Sequence, residues 1–271
     1  MINGRLIACF IGLLCFLIAF ESRAQSPYFR VCVDEQDTSP LLAASPNLQS
    51  SSNSLIDLMS HAAQDLNLTL QVVRYPWQRC IAKFKSGDMD AIVGLVWQKE
   101  YEQWAVFPMQ ASLPDENYRL WHANYSIYVA KDSDIQWDGV NFIGLNSGAS
   151  VSPGHFIEKS LKQLQAFTSK FYPPADGLRL VSLKHLEAYV VETSLARALI
   201  KQHGLEHELK ELNVPFVDTN WYVPVSEKWA ANNPELVQQF WQALRQERIK
   251  HAPNLLARYS QISKSSSIGA R

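Results

Sequence analysis

"RYPWQRCIAKFKSGDMDAIVG", Arg74 to Gly94, holds the order of parts that decides the fold. Pro76 starts a helix, Trp77, Ile81 and Phe84 share one of its faces, and Gly87 stands where a helix end calls for a left-handed residue. Asp88-Met89-Asp90 then turns the chain into the apolar run "AIVG", which reads as a strand. Upstream, "LTLQVV" (Leu68 to Val73) alternates as a strand does. A helix precedes it, with Leu55, Leu58, Met59, Ala62 and Leu66 on one face and Ser52 or Asn53 as its cap. Phe29 to Val33 supplies a β-branched, aromatic first strand that ends at Asp34-Glu35. Strand, helix, strand, helix, strand predicts a mostly parallel α/β sheet whose ligands sit beyond the carboxyl ends of the strands.

A second copy of this punctuation lies about a hundred residues on, where "HLEAYVVE" (His185 to Glu192) parallels "DMDAIVGL" (Asp88 to Leu95). Around it, "FIGLN" (Phe142 to Asn146) and "LRLVS" (Leu178 to Ser182) read as strands. Phe156 to Phe167 reads as a helix. "NWYVPVSEKW" (Asn220 to Trp229) reads as a further strand, and Pro234 opens an amphipathic helix with Leu236, Val237, Phe240, Trp241 and Leu244 in its apolar stripe.

The first residues stand apart. "MINGRLIACFIGLLCFLIAFESRA" has one early Arg5, an apolar run from Leu6 to Phe20 and small residues at Ser22 and Ala24, the pattern of a secretory signal peptide cut after Ala24. The run is short for a bilayer span, although an uncleaved signal would anchor the chain, and Leu14 before Cys15 is too bulky for lipoprotein processing. Removing residues 1–24 from the 271 leaves 247, with 23 basic and 25 acidic side chains. That balance gives no electrostatic footprint for nucleic acid.

Cys9 and Cys15 leave with the signal, so the exported chain keeps Cys32 and Cys80. In an oxidising compartment the expectation is a disulfide between them, the competing reading being two buried thiols. The chain holds no G-x-S-x-G, H-E-x-x-H or Gly-rich phosphate loop. His203 and His207 are four apart, but Gly204 between them ends the helix and makes them surface histidines, so no metal set is read. His155 beside Glu158 is an acid-base pair only if the protein does chemistry.

"PWQRCIAKFKSGDMDAIVG", followed by Phe107-Pro108, resembles lobe one of the family 3 periplasmic solute-binding proteins, in which a helix ends in a Gly-x-x-Asp turn and a strand follows. "YSIYVAKDS" (Tyr125 to Ser133) resembles the first hinge strand and "WDGVNFIGLNSGAS" the start of lobe two. "NWYVPVSEKWAANNPELVQQFWQAL" resembles the return strand and C-terminal helix. The resemblance implies an α/β, two-lobed type II clamshell. Residues 25–124 and 226–271 would form lobe one, and residues 125–225 the hinge strands and lobe two. It also implies a monomer that captures a small polar solute in the cleft for an ABC-type permease, with no cofactor. A ligand sensor for a membrane signalling partner is the alternative, and a periplasmic dehydratase on the same fold the enzyme reading.

By the same resemblance the ligand would meet Asp34 at the end of the first strand, aromatic groups at Trp77, Trp97 and Tyr101, the loop atoms of Ser147, Gly148, Ser150 and Ser152, and Glu192. Ser152 is expected to cap the lobe-two helix, with Pro153 as its first residue. Glu192 occupies the place where amino-acid binders carry an Asp for the ligand ammonium; a helix-start acid favoured by the dipole is the competing reading. Amino-acid binders also carry an Arg for the ligand carboxylate. Here Tyr101 or Glu102 takes that position, with Lys99 as the nearest substitute, so the expected ligand is an amine or a modified amino compound.

Overall fold

The computed structural model describes residues 27–35, 42 and 54–264, so the signal segment with Cys9 and Cys15, and the expected caps Ser52 and Asn53, lie outside the described residues. In chain order the elements are β1 (Tyr28–Asp34), α1 (Leu55–Asp65), β2 (Thr69–Tyr75), α2 (Trp77–Lys85), β3 (Ala91–Ile92), β4 (Leu95–Val96), β5 (Ala105–Val106), β6 (Met109–Gln110), β7 (Leu113–Pro114) and β8 (Trp121–Ala130). Then come β9 (Gln136–Trp137), β10 (Phe142–Ile143), β11 (Ala149–Val151), α3 (Ile157–Gln163), β12 (Phe167–Phe171), α4 (Pro174–Ser182), β13 (Ala188–Glu192) and α5 (Thr193–His203). The chain closes with β14 (Leu209–Glu211), β15 (Val217–Tyr222), β16 (Val225–Ser226), α6 (Glu227–Asn232) and α7 (Pro234–Lys264).

Two sheets of the same plan result. One runs β2-β1-β3-β16-β5 and the other β12-β11-β13-β8-β15-β4, with β14 also on β8. In each, the first three strands are parallel and the fourth antiparallel. β8 and β15 run side by side from Trp121 opposite Trp221 to Tyr125 opposite Val217, and β8 then continues along β13. These two strands are the hinge of a two-lobed molecule.

The duplicated sequence pattern has a physical cause. Asp90, just before β3, accepts hydrogen bonds from the Arg30 backbone N–H (2.8 Å) and from the Arg30 Nε and Nη2. Glu187, just before β13, accepts from the backbone N–H groups of Asn146 and Ser147, each at 2.8 Å. In both lobes one carboxylate at the start of the third strand thus satisfies main-chain donors near the first strand of its own sheet. The Gly-x-x-Asp turn is a sheet fastener. Gly87 has φ +73°, and the N–H of Asp88 bonds the carbonyl of Lys83, closing the end of α2.

Several local expectations need correction. Ser54 caps α1, its hydroxyl accepting from Asp57 N at 3.2 Å. The run "AIVG" breaks at Gly94 (φ +77°), where the chain leaves the first sheet for the hinge. "LRLVS" is helical, because Pro174, Gly177, Leu178 and Val181 bury one face at helical spacing. "FIGLN" yields only the short β10, and the first strand of lobe two is β11. Its helix begins at Ile157 after Phe156, so Ser152 and Pro153 lie in the preceding turn and Ser152 is not the cap. Phe167 belongs to β12, outside that helix. Pro224 divides the expected return strand into β15 and β16.

The disulfide is formed: Cys32 of β1 and Cys80 of α2 are bridged with Cα atoms 5.6 Å apart, both buried in a cluster with Phe84, Ile92 and Phe107. Phe240, Trp241 and Leu244 of α7 are buried in the core shared with α1. Among the described residues no helix is long and apolar enough to cross a membrane.

Candidate functional site

The carboxyl ends of β1 and β3 in one sheet and of β11 and β13 in the other meet at one partly open cavity. Asp34 closes β1, Val93 and Gly94 follow β3, Val151 and Ser152 end and follow β11, and Glu192 ends β13; all line it. Trp77 at the start of α2 and Pro174 at the start of α4 add walls, as do Tyr125 and Trp221 from the hinge strands, His155 and Leu195. The cavity volume is about 80 Å³. One water needs roughly 10–15 Å³ by that measure, so the cavity holds several waters or one small solute.

Glu192 is almost fully buried and divides its two oxygens between two tasks. Oε2 accepts from the Leu195 backbone N–H at 2.8 Å and from the Ser194 hydroxyl at 2.5 Å, capping α5. Oε1 is shielded from solvent and has no hydrogen-bond partner. The helix-start expectation for this residue therefore holds through Oε2, and Oε1 is left without a donor. Burial raises the carboxyl pKa above its ordinary value, and the Ser194 and Leu195 donors and Arg197 only partly offset it. An unpartnered buried carboxylate oxygen is costly unless something donates to it.

The aromatic walls come from both lobes and the hinge. The Trp221 Nε1–H donates to the Tyr125 hydroxyl at 3.0 Å, and the Trp221 ring lies beside the bend at Gly94, whose φ of +77° is what calls for glycine there. His155 packs on Tyr125, ring centres 5.0 Å apart, and on Phe156 at 4.7 Å. Burial lowers the His155 pKa to about 4, so the imidazole is neutral at pH 7. Glu158 Oε1 accepts from Lys162 at 2.5 Å, and among the described residues no hydrogen bond links its carboxylate to the His155 ring.

Of the sequence candidates, Asp34, Trp77, Ser152 and Glu192 line this cavity. Ser152 Oγ lies 3.2 Å from the Tyr189 hydroxyl. The others are placed elsewhere. Trp97 donates to Glu102 Oε1 at 3.1 Å, and Lys99 pairs with the other oxygen of Glu102 at 2.6 Å, which leaves Lys99 outside the cavity. Tyr101 lies against Trp104 and lines a smaller, adjoining cavity that shares Trp77, Gly94, Tyr125 and His155 with the first. Ser147 is held by Glu187, and Ser150 is fully buried with its hydroxyl on the Lys170 carbonyl at 2.7 Å. Gly148 (φ +90°) serves the approach of β11 to the chain before β12: a Cβ there would fall 2.9 Å from the Ala166 carbonyl oxygen. Sequence reading missed Tyr125, His155 as a lining group, Pro174, Leu195 and Trp221. Trp221 and Tyr125 carried a signal as aromatics on the two hinge strands, but their meeting is made by strand pairing between positions 96 residues apart.

No known family profile matches the chain, and no curated protein does. Solved structures do match. A histidine kinase sensor domain described as similar to periplasmic binding proteins superposes with a TM-score of 0.64 at 16% identity, covering 90% of this chain and 97% of that one. A truncated, arginine-bound ArgBP from T. maritima gives 0.63 at 17% identity over 81% and 95% of the two chains. An ancestral arginine-binding protein bound to glutamine gives 0.62 at 20% identity over 88% and 96%. At these identities the likeness establishes the two-lobed, periplasmic-binding-protein fold.

Proposed function

We propose that this chain is an exported, periplasmic solute-binding protein that captures a small amine-bearing solute between its lobes and presents it, as a monomer, to an ABC-type membrane permease. The working lobe limits are residues 25–124 with 226–271, and residues 125–225. One observation carries the ligand chemistry. The cavity gathers two carboxylates, Asp34 and Glu192, and the rings of Trp77, Tyr125, His155 and Trp221, and among its described lining residues there is no Lys or Arg. Carboxylates with aromatic faces stabilise a cation by charge-assisted hydrogen bonds and by the ring quadrupole. Among the described lining residues a carboxylate on the ligand finds no guanidinium, the adjacent Arg74 being bonded to the Asp34 and Leu42 carbonyls.

Grip of this kind favours the closed form, because the ligand touches both lobes at once. Among the described lining residues no hydroxyl or thiol is hydrogen-bonded to the neutral His155 ring, and the one serine, Ser152, faces the Tyr189 hydroxyl, an arrangement that favours binding over catalysis.

Thermal-shift screening of amines, quaternary ammonium compounds, amino acids and dicarboxylates tests the reading. Amines and ammonium compounds should raise the melting temperature, and Glu192→Gln should weaken the best of them at least about tenfold by calorimetry. Tight binding of dicarboxylates with no response to amines would overturn it. Turnover of the ligand during the screen would mean an enzyme.

A sensor role is the second reading, favoured by the superposition on a kinase sensor domain along 97% of that domain. Deleting the gene separates the two: loss of ligand uptake supports transport, whereas intact uptake with loss of a ligand-dependent response supports sensing.

A further inference from the structure

Away from the cleft, the helices α1 and α7 bring three ligating groups together. His61 of α1 places Nδ1 3.1 Å from Oε2 of Glu247, and His251, one helical turn beyond Glu247 on α7, places Nε2 3.3 Å from the same oxygen. All three atoms lie within 4.8 Å of one another. In a tetrahedral zinc site with bonds of about 2.0–2.1 Å, neighbouring ligand atoms are separated by roughly 3.3 Å. Two edges of such a triangle are already present.

The surroundings suit an ion. Glu247 and His251 are largely buried, and His251 Nε2 is shielded from solvent without a hydrogen bond, since its approach to Glu247 lacks hydrogen-bond geometry. Lys250 takes the other oxygen of Glu247, Oε1, at 3.2 Å and leaves Oε2 to face the two rings. We propose that His61, Glu247 and His251 bind one divalent transition-metal ion, with zinc as the probe, through two imidazole nitrogens and one carboxylate oxygen. Three protein ligands leave a fourth position for water. Because the ligands come from two helices, the ion would pin α7 to α1 and stabilise lobe one.

Zinc titration calorimetry of the untagged, chelator-treated full chain should give one ion per molecule and a higher melting temperature. His61→Ala and His251→Ala should each weaken binding by at least roughly 10–100-fold, the loss seen for lesser, outer-shell changes. His203→Ala with His207→Ala should leave it unchanged. On the unaltered protein, zinc should perturb the histidine side-chain nitrogen resonances of His61 and His251, a readout that does not depend on any variant folding. Failure of the wild type to take up zinc, uptake equal in the His61→Ala/His251→Ala protein, or perturbation confined to other histidines would each overturn the site. Amine binding in the cleft is measured separately and stands or falls alone.

Discussion

Gly177 of α4 lies against the ring of Tyr189 in β13 so closely that a methyl group on it would fall 2.3 Å from Cε2. Tyr189 is fully buried; its hydroxyl donates to the Tyr172 carbonyl at 2.6 Å and touches Ser152 on the cavity wall. Gly177→Ala should therefore destabilise by about 2 kcal/mol, the overpacking cost exceeding the helix-propensity gain of roughly 1 kcal/mol. Urea unfolding should show a lower midpoint at unchanged slope, and ligand affinity should drop as Tyr189 pushes on Ser152.

On the proposed cation-binding reading, Glu192 should make ligand affinity depend on pH. Its pKa is raised in the folded protein, chiefly by burial, so the empty protein holds this proton more tightly than the unfolded chain does. Its contribution to the stability of the empty protein is thus present below the unfolded value near 4.5 and lost as pH rises through the folded value. A cationic ligand has the opposite preference, for the ionised carboxylate. Affinity measured by calorimetry should rise as pH is raised from 4.5 toward neutrality, and Glu192→Gln should flatten that dependence.

His155 acts in the other direction on stability. Its folded pKa of about 4 lies below the ordinary 6.5, so the unfolded chain binds the extra proton between those values and stability falls as pH drops from 6.5 through 4. The difference is worth roughly 3 kcal/mol at full burial and less for a ring that keeps some exposure. His155→Phe, which preserves stacking on Tyr125 and Phe156, should reduce the slope of unfolding free energy across this range. An unchanged slope would mean that the histidine is not desolvated.

The disulfide closes a separation of 48 residues across β1, α1, β2 and α2. In the chain-entropy relation this loop corresponds to about 4 kcal/mol. Cys32→Ser/Cys80→Ser should lose about that much in denaturant unfolding. Thiol titration of the denatured, unreduced wild type should find the pair blocked.

How much was legible can be judged from particular elements. The stretch from Arg74 to Gly94 announced its helix, its Gly87 terminus and the strand after Asp90, since propensity, capping and periodicity act over a few residues and agree there. Leu178 to Ser182 was misread because five apolar-rich residues suit a strand as well as a helix, and only the buried face starting at Pro174 decides between them. Glu192 is legible as a strand-end acid, whereas its capping of α5 through one oxygen and the burial of the other are set by the fold. Trp221 against Tyr125, Tyr189 behind Ser152, and His61 opposite Glu247 join positions 96, 37 and 186 residues apart.

The amino-acid order by itself determined the parallel α/β units, their duplication, the fastening acids at positions 90 and 187 and the cysteines that pair. Local backbone preference and hydrophobic period are properties of neighbouring residues. Only the tertiary structure decided which described side chains face the cleft, which of the serines and glycine of residues 147–152 fasten neighbouring chain segments, and which histidines meet a carboxylate. Those outcomes depend on strand register and helix crossing, which bring distant residues within ångströms and are set by how whole layers pack.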